Sequence, residues 1–145
     1  LRTCMMKWID FGLSKQCPGL DQETCVIETI NAVGTDLYFS PQKSNRNSEG
    51  FIEYNPFKAD IYALGLTLLI ALDSATVLRE IENPIIEERK SPRQVLKQYV
   101  ARHMQAKSIT RKALLNVIGR MVRKSEAKRI LPAEALQMLR NVRKE

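Results

Sequence analysis

From Lys58 to Asp73 the chain places Ile61, Ala63, Leu64, Leu66, Leu68, Leu69, Ile70 and Leu72 around a helix and leaves no polar stripe. A helix that is apolar nearly all round must be buried in the middle of its domain, with other elements packed against each side. Its longest apolar stretch, Ala63 to Leu72, is interrupted by Gly65 and Thr67 and falls well short of the roughly 20 residues that cross a bilayer. The stretch therefore reads as the centre of a soluble core and argues against a membrane partner. At 145 residues and 44% apolar composition, the chain can bury one such core, as one domain or one piece of a domain.

The flanking sequence supplies the cover. Cys4 to Ile9 is a short bulky run bounded by Asp10 and Gly12, which reads as a buried strand feeding a turn. Ser14 to Thr29 is polar, with Pro18 and Gly19 marking a turn, and is expected to be a mobile loop. Ser44 to Gly50 is a second polar loop and the best site for disorder. Beyond the central helix, Val95, Leu96, Tyr99, Val100 and Met104 recur at helical spacing, and Leu114, Val117, Ile118, Met121 and Val122 do the same. Pro132 suits a first helical turn and opens a last helix with Leu136, Leu139 and Val142 inward. The expected class is mainly α after one short strand.

Three cysteines, Cys4, Cys17 and Cys25, form no CxxC pair, and the single histidine is His103, so neither a disulfide framework nor a zinc site is indicated. A reducing cytoplasmic or nuclear compartment fits this usage. Residues 1–75 hold six Lys or Arg against nine Asp or Glu, whereas residues 76–145 hold seventeen against seven. The net charge of +7 thus belongs to the second half, where it reads as the solvated faces of amphipathic helices. Tyr99 is the single aromatic residue among these cations, which argues against single-stranded nucleic acid as the partner.

Three motifs and a late arginine follow one another in order. Asp10-Phe11-Gly12 ends the strand-like run, where a carboxylate followed by glycine can hold a metal against phosphate oxygens. Gly34-Thr35-Asp36-Leu37-Tyr38-Phe39-Ser40-Pro41-Gln42 comes next, then Lys58-Ala59-Asp60-Ile61-Tyr62-Ala63-Leu64-Gly65, and finally Arg129 between two amphipathic segments. In this order the chain resembles the lower lobe of eukaryotic Ser/Thr protein kinases. That lobe runs Asp-Phe-Gly, an activation segment closing in Ala-Pro-Glu, a buried helix opening Asp-x-Trp-x-x-Gly, and a late arginine. The resemblance spans residues 1–145 as a partial kinase domain, with metal-binding and activation segments at 1–42, the central helix at 58–73 and C-terminal helices at 93–143.

The resemblance implies roles for individual residues. Asp10 would ligate the Mg²⁺ that bridges ATP phosphates, with Phe11 and Gly12 beside it in the cofactor-binding turn and Phe11 packing differently in active and inactive states. Residues 13–33 would form the activation loop, with Thr24, Thr29 and Ser14 as phosphoacceptor candidates. Thr35 would help fix the acceptor hydroxyl of a protein substrate. Asp60 would accept hydrogen bonds from the catalytic-loop backbone, or serve simply as an acid at a helix N-terminus. Arg129 would reach back to Gln42, tying the substrate-binding loop to the last helices.

Departures from the family pattern carry their own expectations. Gln42 stands where the family has glutamate, so an ordinary hydrogen bond replaces a charge-assisted pair. Ser125-Glu126 replaces Asp-Pro, Leu131 replaces a capping Thr and Tyr62 replaces Trp. Serine can cap and tyrosine can fill an aromatic slot, but Leu131 cannot cap. The His-Arg-Asp base with its Asn, the Gly-rich loop and the ATP-gripping lysine do not occur in these residues, and Leu1 to Met6 is neither an initiator methionine nor a secretory signal. The expectation is a kinase fragment that is inactive alone, whose further partners are the upper lobe and catalytic loop. The alternative is a non-catalytic, pseudokinase-like binding module.

Overall fold

The computed structural model describes residues 9–17, 21–71, 94–95, 97–98 and 109–142. Among them the protein is mainly helical, with three long helices and one two-stranded sheet. In chain order these are strand β1 (Ile27–Thr29), a 3₁₀ turn (Asp36–Tyr38), strand β2 (Ile52–Tyr54), and helices α1 (Pro56–Ala71), α2 (Ile109–Met121) and α3 (Pro132–Val142). The strand expected over Cys4–Ile9 and the readings placed on Tyr99 to Met104, including His103, lie outside the described residues except for Ile9 itself.

Helix α1 starts where the Asn55-Pro56 pair permits it. The Asn55 side-chain oxygen accepts from the Lys58 amide at 3.0 Å, and Pro56 occupies the first turn, where its missing N–H costs nothing. Tyr62, Leu66 and Leu69 then pack against Leu115, Ile118, Val122 and Val95, while Ile61 packs with Val117, Met121, Ile130 and Ala135. The central position expected for this helix is thus filled from two sides. Gly65 has a steric reason to be there: an added Cβ would lie 2.8 Å from the Met121 Cβ and 2.9 Å from a Val122 methyl. The helices α1 and α2 cross where only a glycine fits.

Helix α3 solves its N-terminus without a capping threonine. The Leu131 amide donates to the Glu134 carboxylate at 2.8 Å, one half of a capping box, and Pro132 opens the helix. Its inward stripe is Ala135, Met138, Leu139 and Val142, spaced three, four and seven residues from Ala135. Leu136 was expected inward; it sits off this stripe and is 50% exposed.

Two polar segments depart from expectation. Strands β1 and β2 pair antiparallel, Ile27 opposite Tyr54 and Thr29 opposite Ile52, so the segment expected to be one mobile loop ends in a sheet. Ile27, Ile52 and Tyr54 bury one face of it against Ala59 of α1. The loop Ser44–Gly50, expected to be disordered, is wound around Asn47. The Asn47 side-chain oxygen accepts from the amides of Glu49 and Phe51, its nitrogen donates to Glu53 at 2.9 Å, and Arg46 donates to the Gly50 carbonyl. Asparagine side chains satisfy turn backbones in this way, which polarity alone does not reveal.

Candidate functional site

Ahead of α1, the turn after Asp10, the 3₁₀ turn and the start of the helix enclose a cavity of about 440 Å³. Asp10, Thr35 and Asp60 all line it, together with Lys15, Lys43 and Tyr54. Asp10 takes a left-handed backbone at φ 63°, an uncommon conformation for a non-glycine residue and one often found at functional sites. The Ser14 amide closes the turn onto the Phe11 carbonyl at 3.0 Å. Gly34 is also left-handed, at φ 125°, and a Cβ there would approach the Phe39 ring to 3.1 Å, so the glycine before Thr35 is required sterically. Thr35 precedes the 3₁₀ turn without using its hydroxyl as a cap.

Lys43, which sequence reasoning did not single out, lines the same cavity. Its ammonium donates to the Val33 carbonyl at 2.8 Å and lies 4.8 Å from the Phe39 ring centre and 5.6 Å from that of Tyr54. Loss of hydration pulls its pKa down; Asp60 opposes this and Lys15 adds to it. Asp60 keeps solvent contact on its outer side, yet the crowded cleft pushes its carboxyl pKa up, an effect Lys43 partly offsets. Desolvation likewise raises Tyr54.

Phe11 does not occupy a packed slot. It is 68% exposed, and with Ile9, at 83%, it lines a second, more apolar cavity of about 610 Å³ bounded by Phe57, Ile61 and Leu64. A residue expected to report the state of a kinase by its packing therefore stands open to solvent. Gly12 adjoins Asp10, and a Cβ there would make only an ordinary contact with its carboxylate at 3.6 Å.

The two threonines on the loop are both engaged. Thr24 donates to the Asp21 carboxylate at 2.7 Å, which together with the Glu23 amide holds the Asp21 pKa below its ordinary value. Thr29, within β1, donates to the Asn31 carbonyl at 3.2 Å. This loop is further fixed by a disulfide between Cys17 and Cys25, whose Cα atoms are 6.5 Å apart. The expectation of no disulfide is thereby corrected: the turn at Asp21–Thr24 folds Cys25 back onto Cys17, a proximity that counting cysteines does not disclose. Asn55, the cap of α1, reaches into the same loop and donates to the carbonyls of Gln22 and Glu23 at 2.8 and 3.1 Å.

Gln42 and Arg129 are brought together across 87 residues. The Arg129 Nη2 donates to the Gln42 side-chain oxygen at 2.8 Å, and the Gln42 nitrogen donates to the Lys124 carbonyl, also at 2.8 Å. Arg129 is only 2% exposed, and its other bonds go to the carbonyls of Lys58, Arg123 and Lys124. It also lies 5.0 Å from the centre of the Tyr62 ring. Burial depresses the Arg129 pKa, with Glu126 and Tyr62 opposing, and burial pushes Tyr62 up to about 12.

Among the described residues no three His, Cys, Asp or Glu side chains gather as a metal-binding group. The carboxylates of Asp10 and Asp60, which both line this cavity, suit an ion that takes only one or two protein ligands and shares the rest with phosphate and water, as Mg²⁺ does. No protein-family profile matches this chain, and neither a curated protein nor a solved structure is significantly similar to it.

Proposed function

We propose that the chain is the lower-lobe part of a Ser/Thr protein kinase, whose whole would transfer the ATP γ-phosphate to a protein hydroxyl. The observation that supports this most is the bond from Arg129 to Gln42, because the resemblance pairs those two positions from opposite ends of the chain. The shared cavity of Asp10, Thr35 and Asp60 is a second support. In this reading a bound Mg²⁺–ATP supplies the phosphoryl group and neutralises charge between its phosphates. Asp10 offers the carboxylate ligand, Thr35 holds the acceptor hydroxyl in place, and Asp60 orients backbone from the catalytic loop. Lys15 and Lys43 add positive charge to the wall that faces the phosphates.

The test is phosphate transfer from labelled ATP to Ser/Thr peptides, comparing the native full-length protein with its Asp10→Ala variant and with residues 1–145 alone. The reading expects transfer by the full-length protein only, lost at least a hundredfold on substitution of Asp10. Activity that survives Asp10→Ala rejects it. A second reading, a non-catalytic module of the same architecture, is favoured by one observation, the exposure of Phe11 where a working site would pack it. Absence of transfer by the full-length protein, with ATP binding or without it, selects that reading.

A further inference from the structure

Arg129 makes five hydrogen bonds, and every acceptor is neutral: four to main-chain carbonyls and one to the Gln42 amide. A buried guanidinium is ordinarily matched by an acid; among the described residues no carboxylate is bonded to this one, and Glu126 acts on it only through space. Beside it opens a separate cavity of about 280 Å³, lined by Lys58, Arg120, Arg123, Lys128 and Arg129. Only Glu23 and Glu134 oppose these five cations on its wall, and Glu134 is already bonded to the Leu131 amide. The Nε of Arg123 is buried and has no hydrogen-bond partner. Arg123 thus lines the cavity with a guanidinium that is not fully bonded within the chain.

We propose that this cavity is an oxyanion site for a phosphate monoester. Guanidinium and ammonium groups converge on it as they do around phosphate, and a dianion offers enough acceptor oxygens to serve Arg123 while compensating Arg129. Arg120 and Lys128 are exposed at the rim and can close on a ligand, whereas Lys58 and Arg129 are buried and fixed. The proposal stands on these residues alone and does not depend on the kinase reading. The phosphate can be carried by a free small ester or by Thr24 of the chain itself, which follows the cavity-lining Glu23. A phosphate on Thr24 would stand beside the Asp21 carboxylate that the hydroxyl now contacts, and like-charge repulsion would turn it away from that position.

The test titrates the 145-residue chain with inorganic phosphate and with O-phosphothreonine, at constant ionic strength set by chloride, reading calorimetry and phosphorus NMR. One saturable site is expected, weakened at least tenfold by the double substitution Arg123→Gln and Lys128→Gln. Gln42→Glu supplies the missing carboxylate from within and removes no cation; it is expected to weaken phosphate binding several-fold. A chain carrying phosphothreonine at position 24 separates the two sources. Loss of binding to added phosphate, with a phosphothreonine resonance that moves on Arg123→Gln, assigns the site to Thr24; unchanged binding of added phosphate assigns it to a free ester. Absence of saturable binding in both the unmodified and phosphorylated chains overturns the proposal, as does an affinity indifferent to all three substitutions.

Discussion

Leu69 and Ile30 are side chains of nearly equal size, yet Leu69 is sealed among three helical segments at 0% exposure while Ile30 stands 61% exposed on the leading segment. The contrast extends to their surroundings. Helices α1, α2 and α3 are joined by interdigitated apolar side chains. Residues 9–54 expose Ile9, Phe11, Leu13, Val26 and Ile30, and they are held by turns, a three-residue strand pair with one small apolar cluster on Ala59, and a disulfide. The first region draws its stability from packing, which is cooperative; the second draws it from local polar bonds, each modest on its own.

The largest expected effect tests that division directly. Leu69→Ala should cost about 2–5 kcal/mol in urea unfolding, because it empties a site closed on all sides. Ile30→Ala should change stability by less than about 0.5 kcal/mol. Equal losses at the two positions would break the comparison and mean that the leading segment is packed as tightly as the helices.

Asn55 is the hinge between the regions, and its substitution should sharpen the contrast. Asn55→Ala removes the cap of α1 and two donors to the Gln22 and Glu23 carbonyls, for a loss of about 3 kcal/mol. Asn55→Asp keeps the acceptor that caps α1 but cannot donate to the loop. Amide exchange should then quicken over residues 21–29 while α1 keeps its protection; faster exchange in α1 instead would show that the two roles are inseparable.

What the sequence revealed follows the same division. The apolar run through Leu66 and Leu69 announced the central helix because burial on all faces leaves an unmistakable composition. The spacing of Gln42 and Arg129 carried no local signal, and only the resemblance to a family placed them as partners. Strands of three residues such as Ile-Glu-Thr are too short for a period of two to register, so β1 passed as loop and β2 was given no element. Asn47 counted only as part of a polar loop, and Asn55-Pro56 ahead of an apolar run, a helix-start signature, went unread. The cluster around Arg123 was hidden because its five cations come from α1, α2 and the turn between α2 and α3.

Tyr62, only 2% exposed, gives the packed region a pH signature of its own. Its pKa is raised by burial to about 12, above the ordinary tyrosine value of 10.0. The unfolded chain therefore loses the phenol proton first as pH rises, so the stabilisation is fully present below about pH 10 and disappears as pH approaches 12. At about 1.4 kcal/mol per pKa unit, urea unfolding should report a loss of about 3 kcal/mol over that window, absent in Tyr62→Phe. A wild-type profile parallel to that of Tyr62→Phe would mean that water reaches the ring in solution.

The smallest effect lies on the sheet, where Glu28 faces Glu53 directly across the strand pair. Like charges in that position repel, and Glu53 is held there by the Asn47 side chain. Glu28→Lys replaces repulsion with attraction on an exposed face, so a gain of only a few tenths of a kcal/mol is expected, fading as salt is added. Because β1 meets the helical region through Ile27 against Ala59, with the Asn55 bonds nearby, the gain should appear as slower amide exchange over residues 27–29 and 52–54, with the global urea midpoint nearly unchanged. A clear rise in the global midpoint would instead show that the sheet unfolds together with the helices, and that the leading segment, though weakly packed, belongs to the same cooperative unit.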